Sequence, residues 1–154
     1  MIDIPQIVQT TAQGTAFIHL VVTREEMQQV FGPGIGELIS TITAQGVTPV
    51  GPIFAHHSRG PTDTFDFKLS IATDRPVTAS GRVQPGELPA RRAARTVYHG
   101  PYEGLPEAWG EFMDWIEKNG HTTAPDLWEC YVVHPDSEPD PAKWRTELNR
   151  PLAD

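Results

Sequence analysis

The sequence has 154 residues, a length that suits one domain or two small halves sharing a core. Its 12 Lys and Arg against 20 Asp and Glu give a formal net charge of -8. Nucleic acids and anionic membrane surfaces both recognise clustered basic residues, so this composition argues against either partner. The 38% hydrophobic and 21% charged residues exclude a fully disordered chain.

The features that bear on location are few. Cys130 is the single cysteine, so no intrachain disulfide can form, and a lone cysteine suits a reducing compartment. Residues 1–13 lack the basic start and apolar run of a signal peptide. No stretch approaches the roughly 20 apolar residues of a membrane span. We therefore expect a cytoplasmic protein.

The first half of the chain opens with a predicted strand over residues 15–22, which are apolar and often β-branched. Thr23 and Glu26 then have the spacing of a capping box, which predicts a helix start. We expect this helix to end near Val30, because the Gly-Pro-Gly sequence around Pro33 interrupts the pattern.

A second helix is predicted directly after that interruption. Four aliphatic residues recur at the i, i+3, i+4, i+7 spacing of one helix face: Ile35, Leu38, Ile39 and Ile42. Gly46 marks its end. Residues 53–57 form a short strand candidate, and residues 65–71 alternate between apolar and polar types, as in a half-buried strand.

The second half follows a linker rich in Gly and Pro, at about residues 78–89. A strand is predicted over residues 91–99. The helix that starts near Pro106 has one apolar stripe, in which Trp109 is assigned to core packing. Further strands are predicted over residues 127–133 and 144–148.

The two halves repeat the same order of signals. Gly46 and Gly120 are offset by 74 residues, and the strand of residues 54–57 has the same offset from residues 128–131. We predict an α+β fold of duplicated βαββ units with pseudo-two-fold symmetry. Its antiparallel sheet would carry helices on one face and a ligand cleft on the other. The domain would span residues 1–154, with repeat one at about 12–78 and repeat two at about 90–152.

Glu129 is the outstanding polar residue, since it lies in an otherwise apolar and aromatic strand. Strand alternation places it on the same face as Tyr131 and on the opposite face from Trp128. A carboxylate in the middle of such a strand is costly to bury unless it is paired or faces a cavity. We interpret Glu129 as a ligand-facing acid. The alternative is an exposed side chain or a pair with Arg145.

Aromatic residues concentrate around this position, since the second half holds all four tryptophans and all three tyrosines. Together with Glu129, the candidates for the cleft are Trp128, Tyr131, Tyr98, Trp144, Tyr102, Phe54 and His57. Aromatic faces and a carboxylate suit a flat, lipophilic and often cationic molecule. His57 takes the repeat position of Tyr131, with a surface or structural role as the alternative.

Motifs for cofactors and metals are missing from the sequence. The six histidines show no metal-ligand spacing, and no P-loop, dinucleotide or nucleophile-elbow motif occurs. We expect neither a cofactor nor a metal. Glu147, a second strand carboxylate, is interpreted as exposed or paired.

Three segments together resemble the GyrI-like, or AraC-type effector-binding, domain family. They are Tyr-His-Gly-Pro-Tyr-Glu-Gly-Leu at residues 98–105, Trp-Glu-Cys-Tyr at 128–131 and Thr-Glu-Leu-Asn-Arg-Pro-Leu at 146–152. The resemblance covers about residues 12–152 and implies a duplicated βαββ fold with a central cleft. The family's buried acid falls on Glu129, which faces cationic lipophilic ligands in multidrug-binding members. The chain is similar to a stand-alone member without the DNA-binding helices of related regulators.

Two activities follow from this resemblance as expectations. The first is binding of lipophilic xenobiotics for sensing or sequestration, with Glu129 as the polar anchor. The alternative resembles the cyclopropanoid cyclohydrolases of this family, in which Glu129 would position or activate water and Tyr131 would donate a proton. The aromatic cage falls loosely on Trp128, Tyr131, Tyr98 and Trp144. A protein partner, such as an inhibited topoisomerase, is a third class that no motif supports.

Overall fold

The computed structural model describes residues 2–58, 64–133 and 137–153. Within these residues, the strands in chain order are β1 (Gln6–Gln9), β2 (Gln13–Thr23), β3 (Phe54–His57), β4 (Thr64–Ala72), β5 (Gln84–Leu88), β6 (Arg92–His99), β7 (Leu127–Val133) and β8 (Arg145–Pro151). The helices are α1 (Arg24–Ala44) and α2 (Leu105–Lys118). Short 3₁₀ turns lie at Tyr102–Gly104 and Pro141–Lys143. Among the described residues, no helix is long and apolar enough to span a membrane.

The described strands form one antiparallel sheet in the order β1-β6-β8-β7-β3-β4-β2-β5. Two βαββ units, β2-α1-β3-β4 and β6-α2-β7-β8, meet where β3 pairs with β7. The pairs Phe54–Cys130 and His56–Trp128 flank the pair Ala55–Glu129. Shifting each residue by the repeat offset of 74 converts one flanking pair into the other and converts the central pair into itself. The pseudo-two-fold axis therefore passes between Ala55 and Glu129, and the predicted α+β fold of duplicated βαββ units in an antiparallel sheet is confirmed.

Each helix covers the sheet half of its own unit. Under α1, a buried cluster includes Leu38 and Ile42 of the helix with Leu69 of β4. Under α2, a separate cluster includes Phe112 of the helix and Leu148 of β8. Because the two clusters are separate, the centre of the sheet lies in the gap between α1 and α2 on this face.

The predicted capping box of α1 is confirmed, but the predicted break after Val30 is wrong. The Thr23 hydroxyl accepts from the Glu26 backbone N–H at 3.2 Å, and the Glu26 carboxylate accepts from the Thr23 N–H at 2.9 Å. The helix then continues through Pro33. Pro33 leaves the carbonyl of exposed Gln29 without its helical donor, where water can replace it. Gly34 lets the helix approach the sheet closely, since a Cβ there would lie 2.9 Å from Leu69.

Two strands were not predicted, β1 and β5, and both lie at the edges of the sheet. The sequence Gln-Pro-Gly-Glu-Leu of β5 lies in the predicted linker, and Pro is tolerated in edge strands. Both strands contribute to a third apolar cluster, in which Val8 and Leu88 pack around Phe54, Ala93 and Trp128.

Candidate functional site

Glu129 lies at the centre of a row of laterally paired residues that crosses six strands of the sheet, and we call this row a rung. It pairs with Ala55 on one side and with Leu148 on the other. Continuing outward, the rung contains Leu69 and Ile18 in one half and Thr96 in the other. All five neighbours are buried, and none carries a charge. The carboxylate is therefore the single charged group of this buried row, beside the small side chain of Ala55.

The polar partners of Glu129 come from α2 and from its own strand. The indole N–H of Trp109 donates to Glu129 Oε2 at 3.1 Å. The phenol of Tyr131, two residues along β7, also interacts with this carboxylate. Among the described residues, no basic side chain forms an ion pair with Glu129. The alternative of a pair with Arg145 is therefore wrong.

This environment favours protonation of both groups. Burial raises the pKa of Glu129, and the hydrogen bonds from Trp109 and Tyr131 offset part of that rise. Burial and the neighbouring Glu129 charge raise the pKa of Tyr131 well above its ordinary value. The phenol thus stays protonated at neutral pH and can donate to the carboxylate. A cation placed beside Glu129 would favour its ionised form and supply the missing charge partner.

Aromatic rings surround this carboxylate on the helix-bearing face. The prediction that the cleft of Glu129 lies on the face opposite to the helices is therefore wrong. The Tyr131 ring meets Phe31 of α1 edge-on at 5.3 Å and Tyr102 at 5.9 Å between centroids. Tyr102 in turn packs against Trp144 at 5.1 Å. We call this group the acidic aromatic site, and its members are Glu129, Trp109, Tyr131, Tyr102, Trp144 and Phe31. It joins the two βαββ units, since Phe31 belongs to the first and the other members to the second.

His57 lies on the same face but deeper, and it packs with the core under α1. Its ring stacks on Phe67 with 5.1 Å between centroids, and Phe67 lies 6.4 Å from Phe31. Only 2% of His57 is exposed, and its Nδ1 has no hydrogen-bond partner among the described residues. Burial, aided by the nearby His56, lowers the pKa of His57 to about 4. Its surroundings favour the structural alternative over a ligand-lining role.

We expect His57→Phe to reduce the acid sensitivity of the fold. The pKa of His57 is about 4 in the folded protein and 6.5 in an unfolded chain. The neutral imidazole therefore makes its full contribution to stability above pH 6.5. This contribution is lost as the pH falls through 4, because the unfolded chain then binds more protons. The loss is on the order of 3 kcal/mol. Urea unfolding at pH 7 and pH 4 measures the difference between the two proteins.

The control for this comparison is His19→Gln, since the His19 side chain is 55% exposed and its 2.6 Å ion pair with Asp66 is a surface pair of little energetic weight. This variant should follow the wild type at both pH values. An equal acid-induced loss of stability in the wild type and His57→Phe would contradict the assignment.

Two of the predicted cleft residues, Trp128 and Phe54, lie on the sheet face opposite to Glu129. They line a depression that we call the opposite-face groove, together with Cys130, Arg95, Glu147, Leu88, Ala72 and residues 9–11, 13 and 51–52. Neighbouring residues on one strand point to opposite faces, so Trp128 cannot share a wall with Glu129. The structure therefore divides the predicted site between two surfaces.

Tyr98 belongs to neither surface. It is 5% exposed in the core under α2, and its hydroxyl donates to the Pro101 carbonyl at 2.8 Å. Glu147 is paired, as one interpretation held, since its Oε1 lies 3.3 Å from Arg95 Nε.

Two residues of the acidic aromatic site were not predicted as functional. Trp109 was assigned to the core because it belongs to the apolar stripe of α2, yet its indole N–H reaches Glu129. Phe31 was missed because the helix was expected to end before it. In a continuous helix, Phe31, Ile35 and Leu38 have the i, i+4, i+7 spacing of a single face, and that signal would have found it.

Among residues 2–58, 64–133 and 137–153, no group of three or more His, Cys, Asp or Glu side chains could hold a metal ion. The groups that act on the Glu129 carboxylate are the Tyr131 phenol and the Trp109 indole N–H, and the other members of the site supply aromatic surfaces.

The family model for the GyrI-like small-molecule-binding domain matches residues 5–153. The chain belongs to the GyrI-like family. The predicted resemblance is thereby confirmed, and a small-molecule ligand follows from the family. No curated protein matches this GyrI-like chain.

Solved structures share the fold of this GyrI-like chain at low sequence identity. The C-terminal domain of EcmrR superposes with a TM-score of 0.85 and 21% identity over 97% of each chain. The chain covers only 56% of EcmrR in a complex with DNA. A hydrolase from Listeria innocua gives 0.70 and 14% over 97% of this chain and 91% of that one. SAV2435 bound to tetraphenylphosphonium gives 0.60 and 12% over 97% and 94%.

Proposed function

We propose that this GyrI-like domain binds lipophilic organic cations at the acidic aromatic site, for sensing or sequestration. The observation that carries the proposal is Glu129, a carboxylate in an apolar rung with no basic partner among the described residues. Desolvating such a charge is unfavourable unless an opposite charge approaches. A bound cation provides that charge, and the binding free energy includes the relief of this penalty.

The aromatic members of the site suit the apolar part of such a ligand. Their faces attract a cation through the ring quadrupole, and they bury flat apolar surface at roughly 25 cal/mol per Å² before the costs of association. Tyr102 lies on a single 3₁₀ turn and Phe31 on α1. Their contacts with Tyr131 are between rings, so a guest can separate the rings without breaking a strand. Tetraphenylphosphonium, which SAV2435 binds, is a suitable probe.

The test compares tetraphenylphosphonium with triphenylphosphine oxide, which presents similar phenyl rings without a charge. We expect the cation to bind at least tenfold more tightly at pH 7.5 in calorimetric titrations, which corresponds to about 1.4 kcal/mol. Because protonation removes the negative charge of Glu129, the affinity for the cation should fall as the pH drops through the raised pKa. The affinity for the oxide should stay constant. Equal affinities at pH 7.5 would contradict the proposal.

A second function, hydrolysis of a strained electrophile, is favoured by the position of Glu129 beside a protonated Tyr131. With a spirocyclopropyl cyclohexadienone, Glu129 would take a proton from water as the water oxygen bonds to the ring CH₂. The ring C–C bond breaks, and its electron pair moves into the ring to give a phenolate. Tyr131 protonates this phenolate and takes up the proton that Glu129 removed from water, so both residues return to their starting forms. Mass spectrometry separates the two functions. A substrate that gains the mass of one water indicates turnover, and one recovered unchanged indicates binding alone.

A further inference from the structure

The opposite-face groove is separate from the acidic aromatic site, because the two lie on opposite faces of the sheet. It encloses about 330 Å³, at the lower end of the range of roughly 300–1,000 Å³ for small-molecule pockets. Its apolar wall comes from Leu88 of β5 and from the small exposed parts of Trp128 of β7 and Phe54 of β3, which are 2% and 5% exposed. The segment between β1 and β2 forms another part of the rim, with Gln9 and Thr10. A molecule with one aromatic ring matches this size and lining.

The polar end of the groove contains one charge of each sign. Arg95 Nε donates to the Asn149 side chain at 2.7 Å and lies 3.3 Å from Glu147 Oε1. Asn149 donates to the same Glu147 oxygen at 3.2 Å. The terminal nitrogens of the Arg95 guanidinium form no hydrogen bond with another described residue. The Arg95 and Glu147 side chains are 34% and 24% exposed, so both are accessible from the groove.

We propose that the opposite-face groove is a second ligand site, which takes a small aromatic zwitterion such as a free phenylalanine-type amino acid. The carboxylate of the ligand meets the terminal nitrogens of Arg95, and its ammonium group meets Glu147. The aromatic ring lies against Trp128 and Phe54. A zwitterion adds no net charge to the existing ion pair. An anion would be repelled by Glu147, and a cation would be repelled by Arg95.

The first test titrates the wild-type protein with phenylalanine, 3-phenylpropionate and phenethylamine, which share a ring but differ in charged groups. We expect phenylalanine to bind at least tenfold more tightly than either of the others. Arg95→Gln and Glu147→Gln should each weaken phenylalanine binding at least tenfold. Equal affinities of the wild type for the three molecules would overturn the proposal without any variant, and no binding of phenylalanine up to millimolar concentration would do the same.

The second test uses Cys130, the single cysteine of the chain, as a reporter inside the groove. Burial raises the pKa of its thiol and leaves little reactive thiolate, so alkylation by excess iodoacetamide at pH 8.5 is followed by intact mass over days. Saturating phenylalanine should slow this alkylation at least fivefold. Tetraphenylphosphonium, bound on the Glu129 face, should not slow it. An unchanged rate with phenylalanine would place its binding elsewhere and overturn the proposal, whatever the outcome at Glu129.

Discussion

We expect Glu129→Gln to weaken tetraphenylphosphonium binding about 30-fold at pH 7.5, which corresponds to about 2 kcal/mol. The amide keeps the shape of the side chain, and its oxygen can still accept from the Trp109 indole. Only the negative charge is lost, so the change isolates the electrostatic part of the binding free energy. Calorimetric titration of both proteins measures it, and triphenylphosphine oxide should bind the two with equal affinity.

Unfolding does not explain such a loss, because the variant should be at least as stable as the wild type. A raised Glu129 pKa means that the folded state binds the proton more tightly than the unfolded state. The stabilising effect of this proton is present at low pH and is lost as the pH rises through the folded pKa. Above that pKa the ionised Glu129 is therefore a cost to the fold, which glutamine removes.

The matched control is Glu111→Gln, which removes one negative charge from the exposed face of α2. It should leave the affinity for tetraphenylphosphonium unchanged at moderate salt, since exposed charges are screened. If Glu129→Gln binds the cation as tightly as Glu111→Gln does, Glu129 is not the anchor.

The position of Glu129 at the centre of the molecule could be predicted from local patterns. Alternation along β7 places Glu129 and Tyr131 on one face, and the structure has them there. The repeat offset makes Ala55 its equivalent, and the two residues pair across the axis. Both conclusions depend on periods of two and on a duplication, which a single sequence displays directly.

The composition of the site could not be predicted in the same way, because it depends on how separate elements are oriented. The aromatic and charged character of Phe54, Trp128 and Glu129 is the same on either face of the sheet. Alternation along β7 already places Trp128 on the face opposite to Glu129, but only the strand register shows that Phe54 lines the opposite-face groove with it. The rotation of α2, which turns the Trp109 indole towards Glu129, is likewise fixed by packing and not by the apolar stripe alone.

The motif that carried much of the family resemblance, residues 98–105, proves to be structural in part. Its Tyr98 is buried, and the Tyr98 hydroxyl donates to the Pro101 carbonyl at 2.8 Å. Gly100, at a φ of 137°, and Gly104 both lie against this phenol. The glycines leave room for a large ring that closes the turn into α2. Tyr102 of the same motif reaches the acidic aromatic site.

We expect Gly104→Ala to destabilise the fold by about 4 kcal/mol, because its Cβ would overlap the buried Tyr98 phenol. The new atom would lie 2.9 Å from Tyr98 Cζ and closer still to the hydroxyl oxygen. Relief requires moving a rigid ring that is 5% exposed and losing its hydrogen bond to Pro101. Overpacking of this kind costs about 1–3 kcal/mol, and the lost hydrogen bond adds about 1 kcal/mol. Urea unfolding followed by circular dichroism measures the change.

The control separates this clash from the general effect of glycine in a helix. Gly110 lies on the exposed side of α2, and a Cβ there would meet no atom within 4 Å. Gly110→Ala should therefore stabilise the protein by up to about 1 kcal/mol, since alanine is the better helix former. The two substitutions change the free energy of unfolding in opposite directions only if Tyr98 fills the space beside Gly104. A neutral or stabilising Gly104→Ala would show that the phenol lies elsewhere, and the turn into α2 would then need another explanation.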